Sequence, residues 1–249
     1  MTIFNRAACA ALLVVGTVTS SAAQTAEDIV ERHLTAVGGR AALAKLTSRT
    51  MTGTISVTIE AGDLQGQLEV TTAPPNKSRT LLGLDLSAFG LGKLVHDERF
   101  DGSAGYILDS MQGNREITGN QLHNLRNDTF PTALLDYKGQ GASVALAGKE
   151  KVDDREAYVL IRTPKAGPPV KHYIDAESHL EIRTVTTNDS PTIGTYELTV
   201  IFGDYREVDG VKVPFQIRGV SNAENFNAVL TKVTHNQPVD AAMFSRPAP

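Results

Sequence analysis

The sequence predicts a mainly β fold of the α+β kind, built on an antiparallel sheet. Three observations predict it. From Met51 onward, apolar residues alternate with polar ones over many short segments, the period of a strand with one dry and one wet face. Turn-forming residues punctuate those segments, as at Asp153-Asp154, Asp175–Ser178 and Asp209-Gly210, which marks hairpins. Helical spacing of apolar residues is confined to the start of the chain and to residues near 118–138.

The first segment, "MTIFNRAACAALLVVGTVTSSAAQ", holds Arg6, an apolar run from Ala7 to Val18, and small residues up to Ala23. That order is the make-up of a secretory leader cut after Ala23. The expected product is an exported soluble chain, residues 24–249, forming one domain. Cys9, the only cysteine, precedes most of the apolar run, so neither a lipid anchor nor a disulfide is expected in that product. Loss of Arg6 takes the formal net charge from −4 to −5. The charges are interspersed, with no basic stripe of the kind that binds nucleic acid. No later segment is long enough to span a bilayer as a helix.

"TAEDIVERHLTAVGG" begins with Thr25 as N-cap and Asp28 three residues on, followed by Ile29, Val30, His33, Leu34 and Val37 at helical spacing. Gly38-Gly39 stops that helix. In "TGTISVTIE", Ile55, Val57 and Ile59 alternate with polar residues. Leu64, Gly66, Leu68 and Val70 repeat the pattern after the turn at 61–63. Thr118 and Gln121 predict a capping box for a second helix, and "PTALLDYKG" a further helical piece after Pro131. Strands then resume through "SVALAGKEKV", "EAYVLIRTP", "VKHYID", "LEIRTVTT", "GTYELTVIFGDYREV", "VKVPFQIRGV" and "NAVLTKVTH". The count comes to eleven or twelve. Pro214 interrupts the sixth of these and belongs at a position without a ladder bond.

Residues 81–95, "LLGLDLSAFGLGKLV", carry only two charges, Asp85 and Lys93. The flanks read as two adjacent strand ends with "SAFGLG" as the hairpin tip. Leu86, Phe89 and Leu91 are expected to fold over an open rim as an apolar gate, or to touch ligand or membrane there. Asp85 and Lys93 are candidates for polar groups at that mouth, or simply solvated loop charges.

Five segments, "AVGGRAALAKLTSRTMTGTI", "FDGSAGYILD", "AGKEKVDDREAYVL", "YIDAESHLEIR" and "DYREVDGVKVPFQI", resemble the outer membrane lipoprotein-sorting-like proteins of Gram-negative bacteria, with the LolA/LolB-type fold. The resemblance runs over nearly the whole expected mature chain. It implies a strongly curved, unclosed antiparallel β-barrel of about eleven strands, with an N-terminal helix and a helical insertion covering the concave face. It also implies a periplasmic location and an apolar ligand, such as an acyl chain, held between sheet and helices. Carriers of that family use an arginine on an early strand to hold a lid. Arg49 and Arg79 are the nearest candidates, and neither is assigned the role.

Together with the alternation, the resemblance nominates Ile55, Val57, Leu68, Val70, Leu82, Leu84, Leu86, Phe89, Leu91, Tyr196, Leu198, Val200, Phe202, Val213 and Phe215 as ligand-facing residues. The alternative for each is a solid core, because apolar strand faces usually pack shut. Three readings of function stand. The first is a carrier or sensor of a lipid or other apolar ligand, with transient contact to a membrane or an envelope protein. The second is an envelope interaction module with a solid core, and the third an enzyme on the same fold.

Nothing in the sequence favours catalysis. There is no H-E-x-x-H and no G-x-S-x-G, and thiol chemistry is excluded. His172 reads as a strand-edge histidine, and Asp97-Glu98 and Asp153-Asp154 as turn carboxylates. No catalytic residue, metal, cofactor or nucleic-acid partner is expected.

Overall fold

Thr25 starts the first helix by the expected reciprocal bonds. Its Oγ1 accepts the Asp28 amide at 3.1 Å, and Asp28 Oδ2 accepts the Thr25 amide at 3.1 Å. In the computed structural model this helix, α1, spans Ala26–Ala36 and buries Ala26, Ile29, Val30, His33 and Leu34 on one face. The model describes residues 24–59, 62–190, 193–222 and 225–246. The expected leader, residues 1–23, lies outside them.

Gly38, at φ 128°, ends α1 where the chain passes over a hairpin. A Cβ there would run into the Gly210 carbonyl and Val211, so only glycine fits. The Lys212 amide donates to the Val37 carbonyl at 2.9 Å, which ties the end of α1 to that hairpin. A short helix, α2, follows at Arg40–Leu43.

The strands are β1 (Arg49–Ile59), β2 (Gly62–Ala73), β3 (Lys77–Asp85), β4 (Lys93–Phe100), β5 (Gly105–Asp109) and β6 (Arg115–Ile117). Helix α3 (Gly119–Asn127) comes next. Then come β7 (Ser143–Val152), β8 (Arg155–Thr163), β9 (Val170–Asp175), β10 (Glu181–Ser190), β11 (Gly194–Val208), β12 (Val211–Val220) and β13 (Asn225–His235). All thirteen form one antiparallel sheet in the order β6-β5-β4-β3-β2-β1-β13-β12-β11-β10-β9-β8-β7. The two edges, β6 and β7, do not pair, so the curled sheet stays unclosed. Only the β1–β13 junction joins strands distant in sequence. The strand count exceeds the expected eleven or twelve because a three-residue strand such as β6 is too short to show alternation.

Asp209 (φ 52°) and Gly210 (φ 79°) make the tight β11–β12 turn as expected. Beyond it Val211, Val213 and Phe215 are buried together. Pro214 opposes Tyr205 of β11, whereas β12 pairs with β13 only over Gln216–Val220. It therefore sits where no second neighbour needs its missing amide.

Three local expectations are corrected. Thr118 makes no side-chain cap; instead the Asn120 amide near the start of α3 donates to Asp189 Oδ2 of β10 at 2.6 Å. Residues 131–138 form turns rather than a helix. Their backbone closes local bonds, such as Ala142 N to Tyr137 O at 2.9 Å, while Leu134 and Tyr137 are drawn into the core. Asp97 and Glu98 lie inside β4 rather than at a turn. Asp97 is buried on the outer face between Arg79 and Arg99, whose guanidinium nitrogens approach it to 2.8 and 2.7 Å. The C-terminal turn, Ala241–Phe244, packs on this outer face. Phe244 is buried and the Ser245 carbonyl accepts from Arg99 at 3.2 Å.

Candidate functional site

Residues opposite one another in neighbouring strands point to the same face. The chain of partners Phe202–Ile217–Ala228–Ile55–Gly66–Leu84 crosses β11, β12, β13, β1, β2 and β3. Because Ala228, Ile55 and Leu84 belong to the core that includes α1, this is the concave face.

That face divides into two parts. Where α1 lies, it is filled: Ile29, Leu34, Leu160, Ile174, Val211, Val213 and Leu230 have almost no exposed surface. Along β11 the picture differs. Tyr196, Leu198, Val200 and Phe202 point to the same concave side but keep accessible surface. None of the four joins the packed cluster, although Ile217 and Phe226 beside them do.

The nominated residues therefore distribute as follows. Ile55, Leu68, Leu84, Leu86, Val213 and Phe215 are buried in the core. Val57, Val70 and Leu82 are half-buried against it. The β11 set is half-buried and lies outside the packed cluster. Phe89 and Leu91 are 41% and 56% exposed, on a one-turn helical tip at Ser87–Phe89 that Gly90 closes in the left-handed region. The tip stands clear of the core, while Leu86 at its base inserts into it.

Helix α3 crosses the concave side and has no buried residue. Polar bonds hold it instead. Asn124 Nδ2 donates to the Thr187 carbonyl (2.8 Å) and to Asn188 Oδ1 (2.6 Å) of β10. Gln121 Nε2 donates to Glu98 Oε2 of β4 at 2.7 Å, and Arg126 donates to the Ser103 carbonyl at 2.8 Å. Leu122 and Leu125 are only half-buried and lie outside the packed core, so this helix can detach without opening that core. Replacement of Asp189 by alanine removes the group that accepts the Asn120 amide and should cost about 1 kcal/mol. The expected readout is faster hydrogen exchange over 119–127 with unchanged exchange in α1.

Beside the apolar part lies a polar one that the sequence reading missed. Arg162 of β8 is 3% exposed, and its Nε donates to His172 Nε2 of β9 at 3.4 Å. His172 Nδ1 meets Glu181 Oε1 of β10 at 2.6 Å. His172 is thus buried within β9 and not at a strand edge. A second relay of the same kind starts at Arg49 of β1. Its Nε donates to His235 Nε2 at 3.0 Å, and His235 Nδ1 meets Asp209 Oδ2 at 3.2 Å. Since each arginine donates to Nε2, each imidazole carries its proton on Nδ1, facing the carboxylate. The guanidinium of Arg49 also lies 5.6 Å from the Phe130 ring centre.

Asp128, which caps the end of α3, completes this cluster. It keeps exposed surface, and the protein packed around it raises its carboxyl against the pull of Arg162. Burial likewise lowers Arg162, and takes Arg49 down to about 10. Burial alone would lift Glu181, but His172 and then His33 and Arg162 outweigh it and hold the carboxylate low. His33 of α1 is kept low by burial, and its Nδ1 donates to the His179 carbonyl at 3.1 Å. The signal that could have found the cluster was parity. Arg162 occupies the same alternate position as Tyr158 and Leu160, a charge on a dry face.

The convex face carries a separate cleft of about 540 Å³ lined by Thr54, Gln65, Gly66, Gln67, Gly83, Asp85, Ser87 and Lys93. Asp85 and Lys93 thus sit on the outer face, away from the concave aliphatic residues. Arg79 is on that face too, paired with Asp97, so of the two early arginines only Arg49 looks inward. Among the described residues no group of His, Cys, Asp or Glu is placed to hold a metal ion, and no helix is long and apolar enough to cross a membrane.

No family model matches the chain, and no curated protein does. Solved structures do. A DUF1329 family protein from Desulfovibrio piger superposes with a TM-score of 0.56 at 12% identity, covering 88% of this chain and 97% of its own. A protein described as an outer membrane lipoprotein-sorting domain, from Vibrio parahaemolyticus, gives 0.55 at 8% identity, over 88% and 95%. A LolA superfamily protein from Nitrosomonas europaea gives 0.55 at 13%, over 90% and 99%. Identities this low speak to architecture alone. The unclosed thirteen-stranded sheet with its N-terminal helix and α3 is a LolA-like fold.

Proposed function

We propose that the chain binds or carries an apolar ligand, an acyl chain by preference, on the open part of its concave face. One observation carries this reading. Tyr196, Leu198, Val200 and Phe202 point to the concave side yet stay outside the packed core. Large apolar side chains left part-exposed on the concave face are what an acyl chain would cover, at about 0.8 kcal/mol per buried methylene. Ile217, Phe226 and Val57 extend the surface toward the core. Of the proteins that share the fold, one is described as lipoprotein-sorting, and only the ligand class is taken over from it. The expected export to the periplasm of a Gram-negative cell fits a carrier that moves between membranes.

The direct test is native mass spectrometry of the chain purified from its envelope fraction, then exposed to dodecanol or fatty acid in mild buffer. A co-purified or added acyl adduct of one-to-one stoichiometry is the expected result. A chain that never retains any apolar molecule would sink the reading. The exposed tip provides a second handle. Phe89→Ser with Leu91→Ser should change stability by no more than about 0.5 kcal/mol, because both side chains already face solvent. It should slow ligand transfer to or from vesicles. Transfer at the parental rate would remove the tip from the mechanism.

A further inference from the structure

Exposed apolar residues are not scattered over this molecule. Because every ladder is antiparallel, the hairpins alternate between the two ends of the sheet. The connections β1–β2, β3–β4, β5–β6, β8–β9, β10–β11 and β12–β13 share one end. The hairpins β2–β3, β4–β5, β7–β8, β9–β10 and β11–β12 share the other. At the first end, Ile59 closes β1, Phe89 and Leu91 form the tip, Met111 follows β5, Ile193 precedes β11 and Val220 closes β12, and all six are exposed. Val95, also exposed, stands beside Met111, because its carbonyl accepts the Ser110 amide at 3.0 Å. The remaining connection, β8–β9, is taken up by α3, whose Asn127 donates to the Ala166 carbonyl at 2.8 Å. Among the described residues the only other exposed large apolar side chain is Val229, within β13 and opposite Thr54 on the outer face. Charge is divided the same way. No charged residue stands between β3 and β4, β5 and β6, or β10 and β11, whereas the hairpins at the other end hold Asp101, Asp153, Asp154, Glu177 and Asp209.

We propose that this apolar rim docks on a lipid surface of zwitterionic headgroups, with the acidic end turned away. Single apolar side chains on separate hairpin ends, spread from β6 round to β10, make no continuous patch for a protein partner to match. A lipid interface takes up each of them where it stands. Lys165 is the only cation within the six connections, so attraction to anionic lipid is not what holds the rim. The inward stripe of β11 also begins at this end, with Tyr196 close after Ile193. The docking stands without the apolar-ligand reading; where that reading holds, the ligand enters and leaves through the docked rim.

Co-sedimentation of the full chain with phosphatidylcholine vesicles, without added ligand, tests it. The chain is expected to pellet with the vesicles and to gain no more than about twofold when phosphatidylglycerol is added. It should stay bound at raised salt, because screening weakens only charge attraction. Met111→Ser with Ile193→Ser should lower the partition coefficient about tenfold, since two apolar side chains no longer enter the interface. Val229→Ser should leave it unchanged, and circular dichroism checks the fold of each variant. A chain that stays in the supernatant overturns the docking, and a dimer lost in the Met111 and Ile193 variant would then assign the rim to a second copy. Release by salt, or an equal loss in Val229→Ser, overturns it too. Undiminished binding of the Met111 and Ile193 variant would overturn the rim and leave contact to the Phe89–Leu91 tip alone. An acyl adduct without vesicle binding would leave the ligand reading standing, and vesicle binding without an adduct would leave the rim.

Discussion

Leu34→Ala is expected to destabilise the chain by about 3 kcal/mol, the middle of the range for emptying a fully buried leucine site. Leu34 has no exposed surface, and it lies on the face of α1 that fills one part of the curved sheet with Ile29 and Val30. The sheet cannot collapse onto the vacancy, because neighbouring strands fix its curvature through ladder bonds. The cavity therefore persists, and its cost adds to the lost transfer energy. In a chain of this size that loss lowers the melting temperature by about 6–12 °C. Urea unfolding would give the same figure through a shifted midpoint at constant slope. A midpoint that stays put would show that α1 is docked by its polar ends, through Lys212 to Val37, rather than by its apolar face. The double tip variant is the contrast: similar residues, nearly no cost, because Phe89 and Leu91 hide from nothing.

The second large effect lies on the outer face. Asp97→Ala should cost about 3 kcal/mol, because removing one partner of a largely buried ion pair leaves its counter-charges uncompensated. Arg79 and Arg99 both converge on this carboxylate, with 21% and 15% of their side chains exposed. That residual exposure keeps the figure at the low end of the usual range. The pH dependence follows from the direction of the shift. Burial alone would raise the Asp97 carboxyl, but the hydrogen bonds from Arg79 and Arg99 outweigh it and hold the group below the ordinary carboxylate value. A depressed folded-state value means that the stabilisation is complete above the unfolded-state pKa and is lost as pH falls through the folded one. The gap between parent and variant should be widest near neutrality and shrink as pH drops below about 4. Urea titrations at several pH values measure it. A gap that is constant with pH would mean that packing of Phe244 and the C-terminal turn, not the ion pair, is what Asp97 supports.

Much of the fold was legible in the chain because the rules that shaped it are short-range. Thr25 and Asp28 cap α1 across three residues. Asp209 and Gly210 turn a hairpin within two. Alternation of Ile55 and Val57 in β1, and of Leu64, Leu68 and Val70 in β2, marks a dry face strand by strand. Where the partner is distant in sequence, the same rules misled. Thr118 looked like a cap, yet the amide near the start of α3 is answered by Asp189, sixty-nine residues away. Asp97 looked like a turn residue because its two arginines are brought to it by an adjacent strand and by its own.

The candidate site divides along the same line. Periodicity named Leu198, Val200 and Phe202 as inward-facing, since the direction of a side chain depends only on its strand. Whether an inward residue is covered depends on what docks above it. Here α1 packs beside β7 and is tied to the start of β12 through Lys212, while α3 sits over β10 on polar bonds. The buried relay of Arg162, His172 and Glu181 comes from three separate strands, and no spacing in the chain records their meeting. Local periodicity fixes which face of each strand is dry; only packing decides how much of that face is filled, and which charges come to share it.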